Sequence, residues 1–137
     1  MDNPKKNKEI VEAFCTAVFV NHDLSVLDQY MRDDYIQHNP DVPQGKAGFT
    51  EFFKATFKAI PDFRYTLKEI VADGDLVWMY CTTSGTHTGD TWLGVTPTGN
   101  KLNFDVVDMF RLHDGKIAEH WDVADTYTLF SQLGRIK

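Results

Sequence analysis

The chain has 137 residues, of which 42% are apolar and 25% charged, and its formal net charge is −6 at pH 7. These proportions are those of an ordinary globular protein, so they exclude a disordered chain and leave room for one domain over residues 1–137. An acidic chain without a clustered basic face is not expected to bind nucleic acid. The first apolar run, residues 10–20, contains Glu12 and is too short to cross a bilayer. We therefore expect no membrane anchor, no secretory signal and a cytoplasmic location.

The first two-fifths of the chain predicts helices. Apolar residues recur every three or four positions over residues 10–19, which is the pattern of one face of an amphipathic helix. Asp23 is placed to cap a short second helix that runs to Tyr30. A loop over residues 39–45 then leads into a third helix with a stripe of phenylalanines, which ends before Pro61.

The remainder of the chain predicts strands and one glycine-rich loop. Two hairpins are expected, 63–72 with 76–83 and 101–112 with 116–123. Residues 85–100 form the loop between them, and residues 127–133 could make one closing turn of helix. Helices followed by strands predict an α+β domain in which the helices pack on one face of an antiparallel-rich sheet. A sheet that curls around such helices leaves a concave pocket.

The last hairpin places one charged residue among apolar ones. The even-numbered residues of its first strand are the more apolar, so they should face the core, and Asp108 is the exception. A two-residue turn would place Asp108 opposite Trp121. A three-residue turn would place it opposite His120, with Asp122 as a diagonal neighbour. We favour the three-residue turn, which sends a set of apolar side chains to the other face: Val107, Met109, Ile117, Trp121 and Val123.

In this register Asp108, His120 and Asp122 converge on an apolar concavity. Burial raises the pKa of a carboxyl group, a second carboxylate raises it further, and a histidine can share the proton. Such a group can remove a proton from carbon beside a carbonyl and return one to oxygen, and it needs no metal or cofactor if the substrate itself delocalises the charge. Each of the three could instead be structural, for example by bonding backbone groups at a strand end.

The pocket should take a small apolar carbonyl compound. The candidate substrate contacts are His38, Trp92, Phe104 and Phe110. His38 could equally bond within its own loop, and Trp92 could pack at a subunit contact. A metal site is not expected, because no helical histidine spacing supports one. Cys15 and Cys81 lie far apart in apolar stretches and are expected to be buried free thiols.

Short motifs along the chain carry a family resemblance. They are Tyr35-Ile36-Gln37-His38-Asn39-Pro40, Ile60-Pro61-Asp62-Phe63, Gly85-Thr86-His87-Thr88-Gly89, Pro97-Thr98-Gly99, Asp114-Gly115-Lys116-Ile117 and Glu119-His120-Trp121-Asp122. In this order, over about residues 10–134, the chain resembles the SnoaL-like polyketide cyclase, or ester cyclase, family. The resemblance implies the nuclear transport factor 2-like fold, a curved sheet wrapped with helices into a cone. It also implies cofactor-free aldol ring closure, with Asp122 as acid and base.

The resemblance further implies a homodimer through the outer sheet face, which agrees with the apolar set Val107, Met109, Trp121 and Val123. Two positions depart from the family pattern: the antibiotic-pathway cyclases carry histidine in place of Asp108 and arginine in place of Trp121. Other functions of the same fold therefore remain as hypotheses. One is a hydrolase or dehydratase in which carboxylates activate water, another is a non-catalytic small-molecule-binding domain, and a third is a dimerisation module.

Overall fold

The computed structural model describes residues 3–136. The helical elements are α1 (Pro4–Cys15), a π-helical turn (Thr16–Val20), a 3₁₀ turn (Leu24–Val26), α2 (Leu27–Tyr30), α3 (Gly45–Ala59) and α4 (Thr126–Leu133). The strands are β1 (Met31–Gln37), β2 (Arg64–Asp73), β3 (Leu76–Thr86), β4 (Lys101–His113) and β5 (Lys116–Ala124). The chain is therefore α+β, as the order of its sequence patterns predicts.

The five strands form one curled sheet in the order β1-β5-β4-β3-β2. β1 runs parallel to β5, and the other neighbours are antiparallel. The helices pack on the concave face, where the ring of Phe14 on α1 lies 6.0 Å from those of Phe49 on α3 and Phe110 on β4. Each buried phenylalanine contributes roughly 1.5–3 kcal/mol to the stability of this core. The buried free thiols of Cys15 and Cys81 belong to it, as expected.

Strand β1 is not among the elements that the sequence predicts. Three consecutive charged residues, Arg32, Asp33 and Asp34, hide the apolar alternation of this edge strand. Only Met31, Tyr35 and Gln37 are buried in it. The predicted cap at Asp23 is present, because its side chain accepts a hydrogen bond from the backbone of Ser25.

The β4–β5 turn differs from the favoured prediction. His113 pairs with Lys116, so the turn has two residues, Asp114 and Gly115, with φ angles of 51° and 77°. Both angles lie in the left-handed region that this type of hairpin turn requires. The predicted three-residue turn is therefore wrong.

A β-bulge restores the face that the prediction required. Leu112 pairs with Ile117 and Arg111 with Glu119, so Ala118 is an extra residue on β5. Asp108 consequently lies opposite Asp122, and His120 lies opposite Phe110. The predicted opposition of Asp108 and His120 is wrong in register, but the three polar residues share the inner face as predicted. Ile117 was expected on the outer face and is fully buried instead, because it lies on the turn side of the bulge.

The outer face of the sheet carries a row of apolar side chains. Val107, Met109 and Trp121 are partly buried there, and Val123 is 65% exposed. The register extends the row to Trp78 on β3, which pairs with Met109 and is 47% exposed. None of the helices within residues 3–136 is long and apolar enough to cross a membrane.

Candidate active site

A cavity of about 310 Å³ opens between the concave sheet face, α3 and α4. Aromatic and aliphatic side chains form most of its wall, with Phe52 and Phe53 from α3 and Phe130 from α4. Trp92, from the loop after β3, closes one side, and its indole N–H donates to the hydroxyl of Thr56 at 3.0 Å. The cavity is therefore an apolar pocket whose polar groups lie at the sheet.

The innermost polar group is the pair Asp108–His120. Nε2 of His120 lies 2.8 Å from Oδ1 of Asp108, and each residue is only 7% exposed. Asp108 also accepts a hydrogen bond from the hydroxyl of Tyr65 at 2.7 Å, and the Cys81 thiol donates to that hydroxyl at 2.8 Å. Both oxygens of the buried carboxylate thus have partners, which such burial requires.

The other ring nitrogen of His120 faces strand β1. Nδ1 lies 2.9 Å from Oε1 of Gln37, a side chain that is 2% exposed. Parallel pairing of β1 with β5 sets Gln37 beside His120 in the sheet. Both nitrogens of the imidazole are therefore engaged, and the ring is held from two strands.

Asp122 is the more accessible carboxylate. Its side chain is 18% exposed and lines the cavity, with one oxygen 3.9 Å from Nε2 of His120. The Asn39 side-chain amide donates to both of its oxygens, at 2.9 and 3.2 Å. Burial raises the pKa of Asp122 above the usual carboxyl value, and the charge of Asp108 adds to this, while His120 and Asn39 act in the opposite direction. A cavity-facing carboxylate with a raised pKa can both accept and return a proton.

The remaining predicted contacts divide between the cavity and other sites. Trp92 and Phe104 line the cavity. Phe110 lies against His120, with ring centroids 4.9 Å apart, and supports the ring from behind instead of lining the cavity. Phe110 therefore packs against His120, and its predicted substrate contact stays a prediction.

His38 is not among the residues that line the cavity, and its predicted substrate contact stays a prediction. Its ring stacks on Trp121 at 4.5 Å and its Nε2 lies 2.9 Å from Oε2 of Glu119. Side chains alternate along extended backbone, so Gln37 and Asn39 face inward while His38 faces outward.

Sequence reasoning missed three residues of this site: Gln37, Asn39 and Tyr65. The alternation around His38 would have indicated the first two if β1 had been recognised. The sequence predicts a strand at Tyr65, but no local pattern indicates that this strand brings its hydroxyl to Asp108.

A cation could also be held by the same polar groups. Asp108, His120 and Asp122 each offer one ligand atom, and these atoms lie within 4.8 Å of one another. Two carboxylates and one imidazole suit a divalent transition metal. Their closest contact, 2.8 Å between His120 and Asp108, is also the length of a hydrogen bond that a shared proton satisfies.

The fold and this polar cluster define a cone-shaped α+β domain with an apolar pocket that holds two carboxylates and an imidazole. The sequence pattern of the SnoaL-like polyketide cyclases matches residues 9–133, and the chain belongs to this family. The chain is 26% identical to aklanonic acid methyl ester cyclase DauD of Streptomyces sp. (strain C5) over 131 residues, which cover 93% of this chain and 78% of that protein. It is 29% identical to the nogalonic acid methyl ester cyclase of Streptomyces nogalater over 116 residues, with 79% and 83% covered.

A solved structure has the same fold. TsrD from Streptomyces laurentii superposes with a TM-score of 0.87 at 28% identity, and the match covers 98% of each chain. The nuclear transport factor 2-like cone expected from the sequence is thereby confirmed.

Proposed function

We propose that the protein is a cofactor-independent cyclase or isomerase in which Asp122 is the general acid and base. Its substrate is a small apolar carbonyl compound of the polyketide type. The observation that carries this proposal is the position of Asp122: its carboxylate faces the cavity, burial raises its pKa, and His120 lies 3.9 Å away. Family membership supports ring closure as the reaction.

The chemistry balances without a redox partner. The Asp122 carboxylate removes a proton from carbon next to a carbonyl, and the electron pair of that C–H bond forms an enolate. The enolate carbon attacks a second carbonyl of the same molecule and forms the new C–C bond. The resulting alkoxide takes the proton back from Asp122, so the enzyme ends in its starting state.

Asp108 and His120 hold a proton beside the reacting carboxylate. The hydrogen bond of 2.8 Å between them can share that proton, and a protonated His120 would carry positive charge next to Asp122. That charge favours the ionised form of Asp122 before proton abstraction. Removing His120 should therefore leave a smaller fraction of Asp122 ionised at neutral pH.

The charge of the cavity favours a neutral substrate. Within residues 3–136, the side chains that line it include the aspartates Asp41, Asp108 and Asp122 but neither lysine nor arginine. A free carboxylate on the substrate would meet like charge there, and no lysine or arginine lines the described cavity to pair with it. Two relatives are named for methyl esters, in which the carboxyl charge is removed, and this supports the same interpretation.

Two observations favour catalysis over simple ligand binding. Asp122 is bonded by a side chain, Asn39, and one of its faces is open to the cavity. A cavity-facing carboxylate with a raised pKa beside a histidine is typical of acid–base sites.

Turnover of a polyketide methyl ester tests the proposal. Asp122→Asn should remain folded and lose ring closure of a compound such as aklanonic acid methyl ester. The matched control is Asp105→Asn, because Asp105 lies on the same hairpin but on the outer face. Equal activity in Asp122→Asn and the wild type would refute the assignment, and release of a hydrolysed or dehydrated product would favour water activation instead.

We also propose that the outer sheet face pairs with a second copy of the chain. The row Val107, Met109, Trp121 and Val123 supports this, because it continues onto the exposed indole of Trp78. A large exposed apolar row on a sheet is typical of an interaction surface.

A further inference from the structure

The buried side chain of Gln37 contacts the proposed acid–base cluster from strand β1. Its Oε1 lies 2.9 Å from Nδ1 of His120, on the side of the ring away from both aspartates. Its Nε2 donates to the hydroxyl of Tyr35 at 2.8 Å. Because Gln37 is 2% exposed, these bonds are made without competition from solvent.

The orientation of the Gln37 amide is fixed by backbone. The N–H of Asn39 donates to Oε1 of Gln37 at 3.0 Å. A backbone N–H can only donate, so the atom that faces it must be the amide oxygen. The same oxygen faces Nδ1 of His120, and since an amide oxygen only accepts, Nδ1 must carry a hydrogen.

This fixes which nitrogen of His120 exchanges its proton. With Nδ1 occupied, only Nε2 can gain or lose a proton, and Nε2 lies 2.8 Å from Asp108 and 3.9 Å from Asp122. We propose that Gln37 is a positioning residue, which holds His120 with its hydrogen on Nδ1 so that Nε2 shares one proton with Asp108 beside Asp122. The effect on catalysis rests on the proposed function, whereas the position of the hydrogen on the His120 ring does not.

Loss of the Gln37 acceptor should move the hydrogen of the neutral His120 ring from Nδ1 to Nε2. In Gln37→Met, Nδ1 has no acceptor, and a neutral imidazole gains most by placing its hydrogen on Nε2, where the Asp108 carboxylate accepts it. Nε2 then has no lone pair with which to share a further proton. A reversed tautomer in a catalytic histidine lowers kcat strongly, because the ring cannot take up the proton where the reaction delivers it.

The test is a two-bond ¹H–¹⁵N NMR correlation of His120 in the free protein, recorded between about pH 5 and pH 9. The titratable groups that face this ring within residues 3–136 are the carboxyls of Asp108 and Asp122, and the hydroxyls of Tyr35 and Tyr65 lie beyond Gln37 and Asp108. In the wild type, Nδ1 should carry hydrogen throughout this range. In Gln37→Met, the neutral ring should carry it on Nε2. The proposal would be overturned if the neutral His120 ring carried its hydrogen on Nε2 in the wild type. It would also be overturned if the hydrogen stayed on Nδ1 in Gln37→Met.

Two further variants separate positioning from folding. Gln37→Glu keeps an acceptor for Nδ1 and should preserve the wild-type tautomer. Gln44→Met is the matched control, since the Gln44 side chain bonds the backbone of Gln37, at 3.0 and 2.6 Å, and not its amide, so this variant should also preserve the tautomer. If Gln37→Met does not fold, a wild-type tautomer in Gln37→Glu and hydrogen on Nδ1 in the wild type still support the proposal, and hydrogen on Nε2 in either contradicts it.

Kinetics then test the consequence for catalysis. Gln37→Met should lower kcat about tenfold or more with KM changed less than about twofold, and Gln37→Glu should recover most of the rate. The two proposals fail differently. An active Asp122→Asn would refute the general base and leave the NMR result standing, whereas an Nε2–H ring in the wild type would refute the role of Gln37 and leave the general base intact.

Discussion

Asn39 donates its side-chain amide to both carboxylate oxygens of Asp122, at 2.9 and 3.2 Å. The parallel pairing of β1 with β5 produces this contact. Gln37 pairs with His120 and the two strands run in the same direction. Asn39 and Asp122, each two residues further on, therefore also lie side by side. Strand β1 and the residues that follow it therefore supply one amide side chain to His120 and one to Asp122.

The first prediction concerns the Asn39 hydrogen bond and pH. This bond lowers the pKa of Asp122, so Asn39→Ala should raise that pKa further. The base must be ionised to act, so the rising limb of the kcat/KM profile should move to higher pH in the variant. A pH–rate profile of wild type and variant on the same ester checks this, and a limb that stays in place or moves to lower pH would contradict it.

The second prediction concerns stability at the same residue. The folded-state pKa of Asp122 is raised above its unfolded value of about 3.9. Protonated Asp122 therefore makes its full contribution to folding stability below about pH 4, and this contribution is lost as the pH rises through the folded-state pKa. Asp122→Asn should be more stable than the wild type at neutral pH, by on the order of 1 kcal/mol, because no charge is then buried.

Urea unfolding at about pH 4 and pH 7.5 measures this difference. The advantage of Asp122→Asn over the wild type should be present at the higher pH and shrink at the lower one. A variant that is less stable at pH 7.5, or an advantage independent of pH, would show that the buried charge is not costly.

Half of the site residues could be placed on the inner face from the sequence, because the predicted face of a strand residue stays correct even though the predicted turn is wrong. A three-residue turn and a two-residue turn followed by one bulged residue both put Asp108, His120 and Asp122 on one face. The bulge itself could not be predicted, because Ala118 carries no glycine or proline signal. For that reason the sequence did not predict which residues of β4 and β5 lie directly opposite each other.

The edge strand was hidden for a different reason. Its charged residues face solvent because β1 pairs on one side only, so its pattern resembles a polar loop. Its role depends on a parallel, long-range pairing with β5, which no local pattern reports. Without it, Gln37 and Asn39 could not be placed in the site.

The third prediction concerns the cavity wall. Thr56→Val removes the acceptor of the buried Trp92 indole N–H, which should cost about 1–3 kcal/mol of stability. The loosened indole should raise KM while kcat changes little, because the acid–base groups are untouched. Steady-state kinetics and thermal unfolding measure both effects.

Thr50→Val is the matched control for this variant, since Thr50 lies on the same helix but outside the cavity. It should leave KM unchanged. A KM in Thr56→Val equal to that of the wild type would show that the position of Trp92 does not affect substrate binding.

The fourth prediction concerns the outer face. Val123 is 65% exposed in the single chain, and Val123→Lys would place a charge in the proposed contact between copies. Sedimentation velocity should show a dimer for the wild type and a shift towards monomer for the variant. Val20→Lys is the control, because Val20 is also exposed but lies at the end of the π-helical turn. A wild-type monomer at all accessible concentrations would contradict the pairing.

The proposed proton abstraction by Asp122 can be tested without ring closure. A methyl ester analogue that lacks the second carbonyl can form the enolate but cannot form the C–C bond, so in D₂O each abstraction and return exchanges hydrogen for deuterium at the carbon beside the ketone. Proton NMR should show this exchange with the wild type and with Asp105→Asn, and at least about a hundredfold slower exchange with Asp122→Asn. Exchange at the wild-type rate in Asp122→Asn would contradict the assignment of Asp122 as the general base.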